Sequence, residues 1–275
     1  MAGTFKGLNQ SQIDKRLKEG RGQGTGSGYK PFIYTRDVSS LGRSHRVFGH
    51  KCQRMHHLLS DLELAVFFTL DWSEKVLDIR EQFPLSVEHT VQIAKDLEIR
   101  HAQYKSVSQV LSSDFLVDLN TPQRQLIAFQ VKYSQDLSNP NVIERLMLEK
   151  AYWDKKGVHW AVITEKEVSK AAFINIQWLY PAHTERDIDL KLLHHYYDLF
   201  AYEFAQSPDQ YVTEIAQRVD INYKQKAGQA LYWLRQLLAK RLFLFNINSS
   251  YRLLKADMLQ GNYFDLTEEI LYASN

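Results

Sequence analysis

An acid at 114, an amide at 130 and a lysine at 132 are polar groups of this chain that a short hairpin would bring to bear on one substrate. They lie in residues 113–132, SDFLVDLNTPQRQLIAFQVK, where 113–119 and 125–133 alternate or run apolar and residues 120–124 carry turn types. Read as a β-hairpin in which Leu119 pairs with Gln125, the antiparallel register sets Asp114 opposite Gln130. Directly opposed residues project from one side of a sheet, and Lys132 joins them two positions on. A carboxylate, an amide and an ammonium then share one face, with Phe115, Val117, Phe129 and Val131 on the other. A hard divalent cation takes carboxylate and carbonyl oxygens, and a nearby ammonium orients water or stabilises phosphate charge. That is the chemistry of metal-dependent phosphodiester hydrolysis. The same pattern describes a hairpin with one solvated face, and the hairpin alone leaves both readings open.

The flanking elements must position such a face. Leu59, Leu62, Val66 and Leu70 trace an amphipathic helix over 58–70 with Glu63 near its start. Ser60 and Glu63 also match a capping box, in which Glu63 only satisfies the backbone of Ser60. Residues 75–83 read as a strand ended by Pro84, and 87–97 as a short strand or loop excursion. After the hairpin, Ser138, Asn139 and Pro140 start a helix whose buried side includes Val142, Ile143, Leu146 and Trp153, and Gly157 stops it. Residues 158–164 then read as a buried strand, and strand, long helix, strand predicts a right-handed crossover in a mixed sheet. Glu149 on that helix is a further carboxylate, read either as support for the site or as an exposed helix-face charge.

Near the start, 11–18 is predicted as a short helix and the glycine-rich 20–28 as a flexible stretch. With no apolar strand before it and no Gly-Lys-Ser/Thr ending, that stretch lacks the signature of a nucleotide loop. His45, His50, Cys52, His56 and His57 lack the paired thiols of a structural zinc site and read as loop or phosphate-contacting residues.

The length of 275 residues allows one large or two ordinary domains with real cores. A single cysteine excludes an internal disulfide framework and fits a reducing cytoplasm. No apolar run approaches a membrane span, and the basic N-terminus is not a secretory signal. Net charge is only +2, yet residues 1–54 hold eleven Lys and Arg against three acids, a local charge of +8 that suits a polyanion such as DNA.

Residues 164–169 read as a hinge, giving domains over 1–165 and 166–275. Helical periodicity follows over 171–179 and 188–204, then a helix at 211–219, a turn at 220–222 and a second helix over 223–240. Residues 242–246 and 251–254 read as two strands of a wing. The whole is a winged-helix pattern, with Lys224, Lys226, Arg235, Lys240 and Arg241 placing positive charge on or near the second helix. Winged helices also dock proteins, so DNA or protein contact stays open here.

The order helix, strand, hairpin, helix, strand, with Glu63, Asp114 and the run Gln130, Val131, Lys132, resembles the restriction-endonuclease-like nucleases. Ser113 stands where their motif usually has Pro, and Gln130 where it has an acid. The strings EGRGQG (19–24), GRSHR (42–46), HHLLSDLELAVF (56–67), LDIREQFPL (77–85), DFLVD (114–118) and QVK (130–132) resemble a narrower family, TnsA. Its members are the endonuclease subunits of heteromeric bacterial cut-and-paste transposases, in which that Gln is normal. The resemblance implies an α/β fold: a restriction-endonuclease-like mixed sheet flanked by helices, then a mostly α winged-helix domain. It implies Glu63, Asp114 and Lys132 as catalytic, with Glu63, Asp114, Gln130 and the backbone of Val131 holding one or two Mg²⁺, for which Mn²⁺ can substitute. It further implies a bacterial cytoplasmic enzyme that hydrolyses the 5′ strands at transposon ends beside a DDE transposase subunit (TnsB), under an AAA+ ATPase (TnsC). A stand-alone restriction or repair nuclease would share the site without the partners. A non-catalytic winged-helix DNA-binding regulator would tolerate its loss.

Overall fold

The hairpin is the middle of a four-stranded sheet in the computed structural model of the protein, which describes residues 7–38, 43–122 and 125–262. The chain divides into two units, Met1–Val168 and Ser169–Asn275. The first begins with α1 (Gln10–Lys18), β1 (His45–Phe48), β2 (Met55–Leu58), α2 (Asp61–Trp72), β3 (Val76–Pro84) and α3 (Val87–Asp96). It continues with β4 (Gln103–Tyr104), β5 (Val107–Ser108), β6 (Ser112–Leu119), β7 (Leu126–Val131), α4 (Pro140–Lys155) and β8 (His159–Ile163). The sheet order is β3, β6, β7, β8; the first two pairings are antiparallel and β7 pairs parallel with β8 across the α4 connection. This is the expected mixed sheet. Phe115 stands opposite Phe129 and Leu116 opposite Ala128, the register read from the hairpin; the ladder ends there, and beyond it the Asp114 N–H donates to the Gln130 side chain. Gln123 and Arg124 of the predicted turn, Gly42 of the GRSHR string and the tail beyond 262 lie outside the described residues.

Both faces of the hairpin are buried, which overturns the solvated-face reading. Leu116 and Ala128 pack with Ile93, Leu148, Tyr152 and Trp153 of α3 and α4, and Phe115 and Val117 on the opposite face are fully buried. Helices cover the sheet on the α3 and α4 side because that side of the crossover is apolar, while α2, apolar almost throughout, lies against β3 and β7.

Two local expectations need correction. Residues 87–97 form neither strand nor loop but the helix α3: the Ser86 hydroxyl caps it by accepting the His89 N–H, and Thr90, Ile93 and Ala94 bury one stripe. The glycine-rich stretch folds into a hydrogen-bonded loop. The Gly22 N–H donates to Lys30 O, and a Cβ on Gly22 would stand 2.2 Å from Pro84 Cγ, so glycine is what lets the loop close on the end of β3.

The second unit contains α5 (Lys170–Thr184), α6 (Leu190–Gln206), α7 (Val212–Asn222), α8 (Gln229–Ala239), β9 (Phe243–Leu244) and β10 (Gln260–Gly261). The predicted helix over 223–240 begins later, at Gln229. Asp220 at the end of α7 accepts the Gly228 N–H at 2.6 Å and the Ala230 N–H at 2.8 Å, and Gly228 sits at φ +88. This capping makes 223–228 a connection instead of helix. The predicted strand over 251–254 is also revised: Tyr251–Leu253 is a 3₁₀ turn, and β9 pairs with β10 instead. Asn175 of α5 explains it, donating to the carbonyls of Ile247 and Ser249 and accepting the Tyr251 N–H, so those main-chain groups are already engaged. Arg235 and Lys240, two of the positive charges placed on or near the second helix, donate to the carbonyls of Trp178 and Glu185; Lys224 and Lys226 remain exposed. Among the described residues no helix is long and apolar enough to cross a membrane.

Candidate active site

Glu63 arrives on the first turn of α2. The Ser60 hydroxyl oxygen accepts the Glu63 N–H at 3.1 Å and donates to Glu63 Oε1 at 3.0 Å, while the Leu59 N–H donates to Glu63 Oε2 at 2.9 Å. The capping residues are therefore real, with Leu59 taking the place expected of the Ser60 N–H. Capping does not exhaust the side chain: it is 7 % exposed and turned inward, toward Asp114 of β6.

Asp114 is held from the neighbouring strand. Its Oδ2 accepts the Val131 N–H at 2.7 Å, and its own N–H donates to Gln130 Oε1 at 3.1 Å. The Lys132 ammonium stands 3.5 Å from Asp114 Oδ2 and donates to the Val131 carbonyl at 2.9 Å. The Lys132 N–H donates in turn to Ile163 O, which anchors the residue past the end of β7. Asp114, Gln130, Val131 and Lys132 thus meet at one end of the hairpin, and Glu63 reaches the same place from α2.

Two further side chains belong to this constellation. Gln82 of β3 donates from Nε2 to Glu63 Oε2 at 3.2 Å and to Asp114 Oδ1 at 3.4 Å. It lay unremarked inside the LDIREQFPL string, since a glutamine in a strand carries no signal of its own. Glu149 is the second. The exposed-charge reading is overturned, because Glu149 is 6 % exposed and its Oε1 accepts the Ser113 hydroxyl at 2.6 Å and Trp160 Nε1 at 2.8 Å. Its burial beside Leu148, Tyr152 and Trp153 fits the inward stripe of α4.

The electrostatics follow from this depth. Burial, and then the charge of Asp114, push the Glu63 carboxyl up to about 8, and burial pushes Glu149 up to about 7. Like charges pressed together in a poorly solvated place are what a divalent cation relieves. The donor types fit a hard cation: two carboxylates, the Gln130 amide oxygen and the Val131 carbonyl. Among the described residues no three His, Cys, Asp or Glu side chains form a metal-holding group. A cation at the Glu63–Asp114 pair would draw on amide and main-chain oxygens as well.

Several residues singled out by charge or type are occupied elsewhere. Arg16 and Arg21 pair with Asp37. Arg54 and His56 pair with the fully buried Glu81, and the Cys52 thiol donates to Asp78 Oδ1. Part of the +8 of the leading segment is therefore neutralised inside the fold, and the His and Cys residues at 52 and 56 hold β2 and β3 together.

A model described as TnsA-like endonuclease N terminal matches residues 73–165, and one described as TnsA endonuclease C terminal matches 167–247. The first match contains Gln82, Asp114, Gln130, Lys132 and Glu149. The chain is also 41% identical over 276 residues to the transposon Tn7 transposition protein TnsA of Escherichia coli, covering 100% of both proteins.

Proposed function

The chain belongs to the TnsA family of endonucleases, and on that premise we propose that it is a divalent-metal-dependent endodeoxyribonuclease which hydrolyses the 5′ strands at transposon ends. One observation carries the assignment of the site: Glu63 from α2, Asp114 from β6, and Gln130 and Lys132 from the β7 end meet in one hydrogen-bonded group. Glu63, Asp114, Gln130 and the Val131 carbonyl would hold one or two Mg²⁺. When bound, the metal supplies Lewis acidity to the scissile phosphate and lowers the pKa of its bound water. Lys132 has a side chain 30% exposed, so its ammonium is open to an incoming phosphate while Asp114 and the Val131 carbonyl fix its position. Its role is to orient the attacking water and neutralise the charge that develops on phosphorus. Water oxygen bonds to phosphorus as the bond to the 3′ oxygen breaks, leaving a 3′-hydroxyl and a 5′-phosphate.

The first unit is then a restriction-endonuclease-like catalytic domain. The second is a winged-helix domain, a reading supported by α7, α8 and the β9–β10 pair in that order. The partners in this reading are DNA, a DDE transposase subunit of the TnsB type that cuts and joins the 3′ ends, and an AAA+ ATPase of the TnsC type. The test is cleavage of 5′ strands at end-labelled transposon termini with both partners present. Asp114→Ala is expected to abolish it while 3′-strand joining continues; 5′ cleavage by Asp114→Ala at the wild-type rate would refute the assignment.

A further inference from the structure

Gln82 occupies a costly position. It is 2 % exposed and its backbone sits at φ +49, the left-handed region that a residue with a Cβ rarely adopts. Its neighbours keep the β3–β6 register, Glu81 opposite Phe115 and Phe83 opposite Ser113, so Gln82 stands level with Asp114 while its own carbonyl turns away to accept the Phe32 N–H at 3.2 Å. The side chain shows what the turn achieves. One amide nitrogen has two hydrogens, and they are shared between two carboxylates brought from distant parts of the chain, Glu63 Oε2 and Asp114 Oδ1. The Ser112 hydroxyl donates to Gln82 Oε1 at 3.4 Å and fixes which end of the amide faces them. The reverse orientation would set a carbonyl oxygen against two acids.

We propose that Gln82 is a positioning residue, a neutral latch whose amide holds Glu63 and Asp114 together in the cation's stead and releases them when metal binds. The inference rests on reading Glu63 and Asp114 as metal ligands. A hydrogen-bond donor and a cation compete for the same carboxylate oxygens, so the latch stabilises the metal-free site and lowers its affinity for metal. Removing the donor raises metal affinity; replacing it with a fixed positive charge lowers it.

Titration calorimetry of the full chain with Mn²⁺ alone tests this, without reference to cleavage. Gln82→Met keeps the bulk and loses the donor: its Mn²⁺ dissociation constant is expected to fall about tenfold, the scale of one lost charge-assisted hydrogen bond, and its metal-free melting temperature to fall as well. Gln82→Lys is expected to bind Mn²⁺ at least about tenfold more weakly by the same scale. A residue that served folding alone would shift both variants in the same direction. An unchanged or raised dissociation constant for Gln82→Met overturns the latch, and that variant decides the matter if Gln82→Lys does not fold. Asp114→Ala separates the two readings. Mn²⁺ binding at wild-type strength in that variant would refute the ligand assignment itself, whereas its loss together with an unshifted Gln82→Met would refute the latch alone.

Discussion

The Ser113 hydroxyl donates to Glu149 Oε1 at 2.6 Å, and this contact ties the long crossover helix to the residue beside Asp114. Trp153 Nε1 donates to the same hydroxyl at 2.8 Å, and Trp160 Nε1 to the same carboxylate oxygen at 2.8 Å. Four side chains from β6, α4 and β8 thus fix the start of the strand that carries Asp114. All four belong to the packing beneath the site rather than to its open edge.

Glu149→Ala would strip the acceptor from the buried Ser113 hydroxyl and from the half-buried Trp160 indole. We expect a loss of about 3 kcal/mol in urea unfolding, the cost of leaving such groups unpaired, together with reduced 5′-strand cleavage. Glu149→Gln keeps an oxygen acceptor in place, and its loss should stay below about 1 kcal/mol. Equal effects of the two variants would contradict the role of the acceptor.

Glu81 sets the acid limit of the fold. Burial alone would raise its carboxyl, but the neighbouring His56 and Arg54 outweigh that and hold it near 2. A folded value below the ordinary 4.5 contributes stability that is complete above about pH 4.5 and is lost as pH falls toward 2. The melting temperature should drop steeply through that window. Glu81→Gln should flatten the drop and lower stability at pH 7 by about 3 kcal/mol, because the buried Arg54 keeps its carbonyl acceptors but loses its anionic partner.

Glu63 sets the opposite limb. Its folded value near 8 lies above the ordinary 4.5, so its contribution is complete below about pH 4.5 and is lost as pH rises toward 8. His57 and His101, lowered by burial, act in the other direction below their ordinary 6.5, so the clean window is pH 7 to 8. Metal-free protein should lose stability across that window, by melting temperature in chelator. Saturating Mg²⁺ or Glu63→Gln should flatten the slope to the smaller part that Glu149, pushed up to about 7, contributes near pH 7.

In the second unit, Asp220 accepts two main-chain N–H groups at the start of α8 while only 8 % exposed. Asp220→Ala should cost about 2 kcal/mol in urea unfolding, the loss of a buried charged cap that holds two main-chain N–H groups. Hydrogen exchange should show the loss of protection concentrated at Gly228 and Ala230; unchanged protection there would rule out the capping role.

Whatever depends on near neighbours could be read from the order of the residues. Apolar alternation and turn residues specify the β6–β7 register, and with it the meeting of Asp114, Gln130 and Lys132, because a one-residue slip would exchange the two faces of the strand. Ser60 and Glu63 announce the start of α2 because capping is a contact between residues three apart. The long strings shared with TnsA supplied the family, and with it a reason to bring Glu63 to Asp114. Which side chains lose their water follows instead from how the helices and the sheet pack. Periodicity reports that a residue lies on a stripe but not what packs against it, so Glu149 could be read as a surface charge and one hairpin face as wet, although Leu116 and Ala128 pack under α3 and α4 and Glu149 and Asp114 are both buried. Gln82 was invisible for the same reason: an amide becomes part of a metal site only when a backbone turn, a second strand and a distant helix place two carboxylates within its reach.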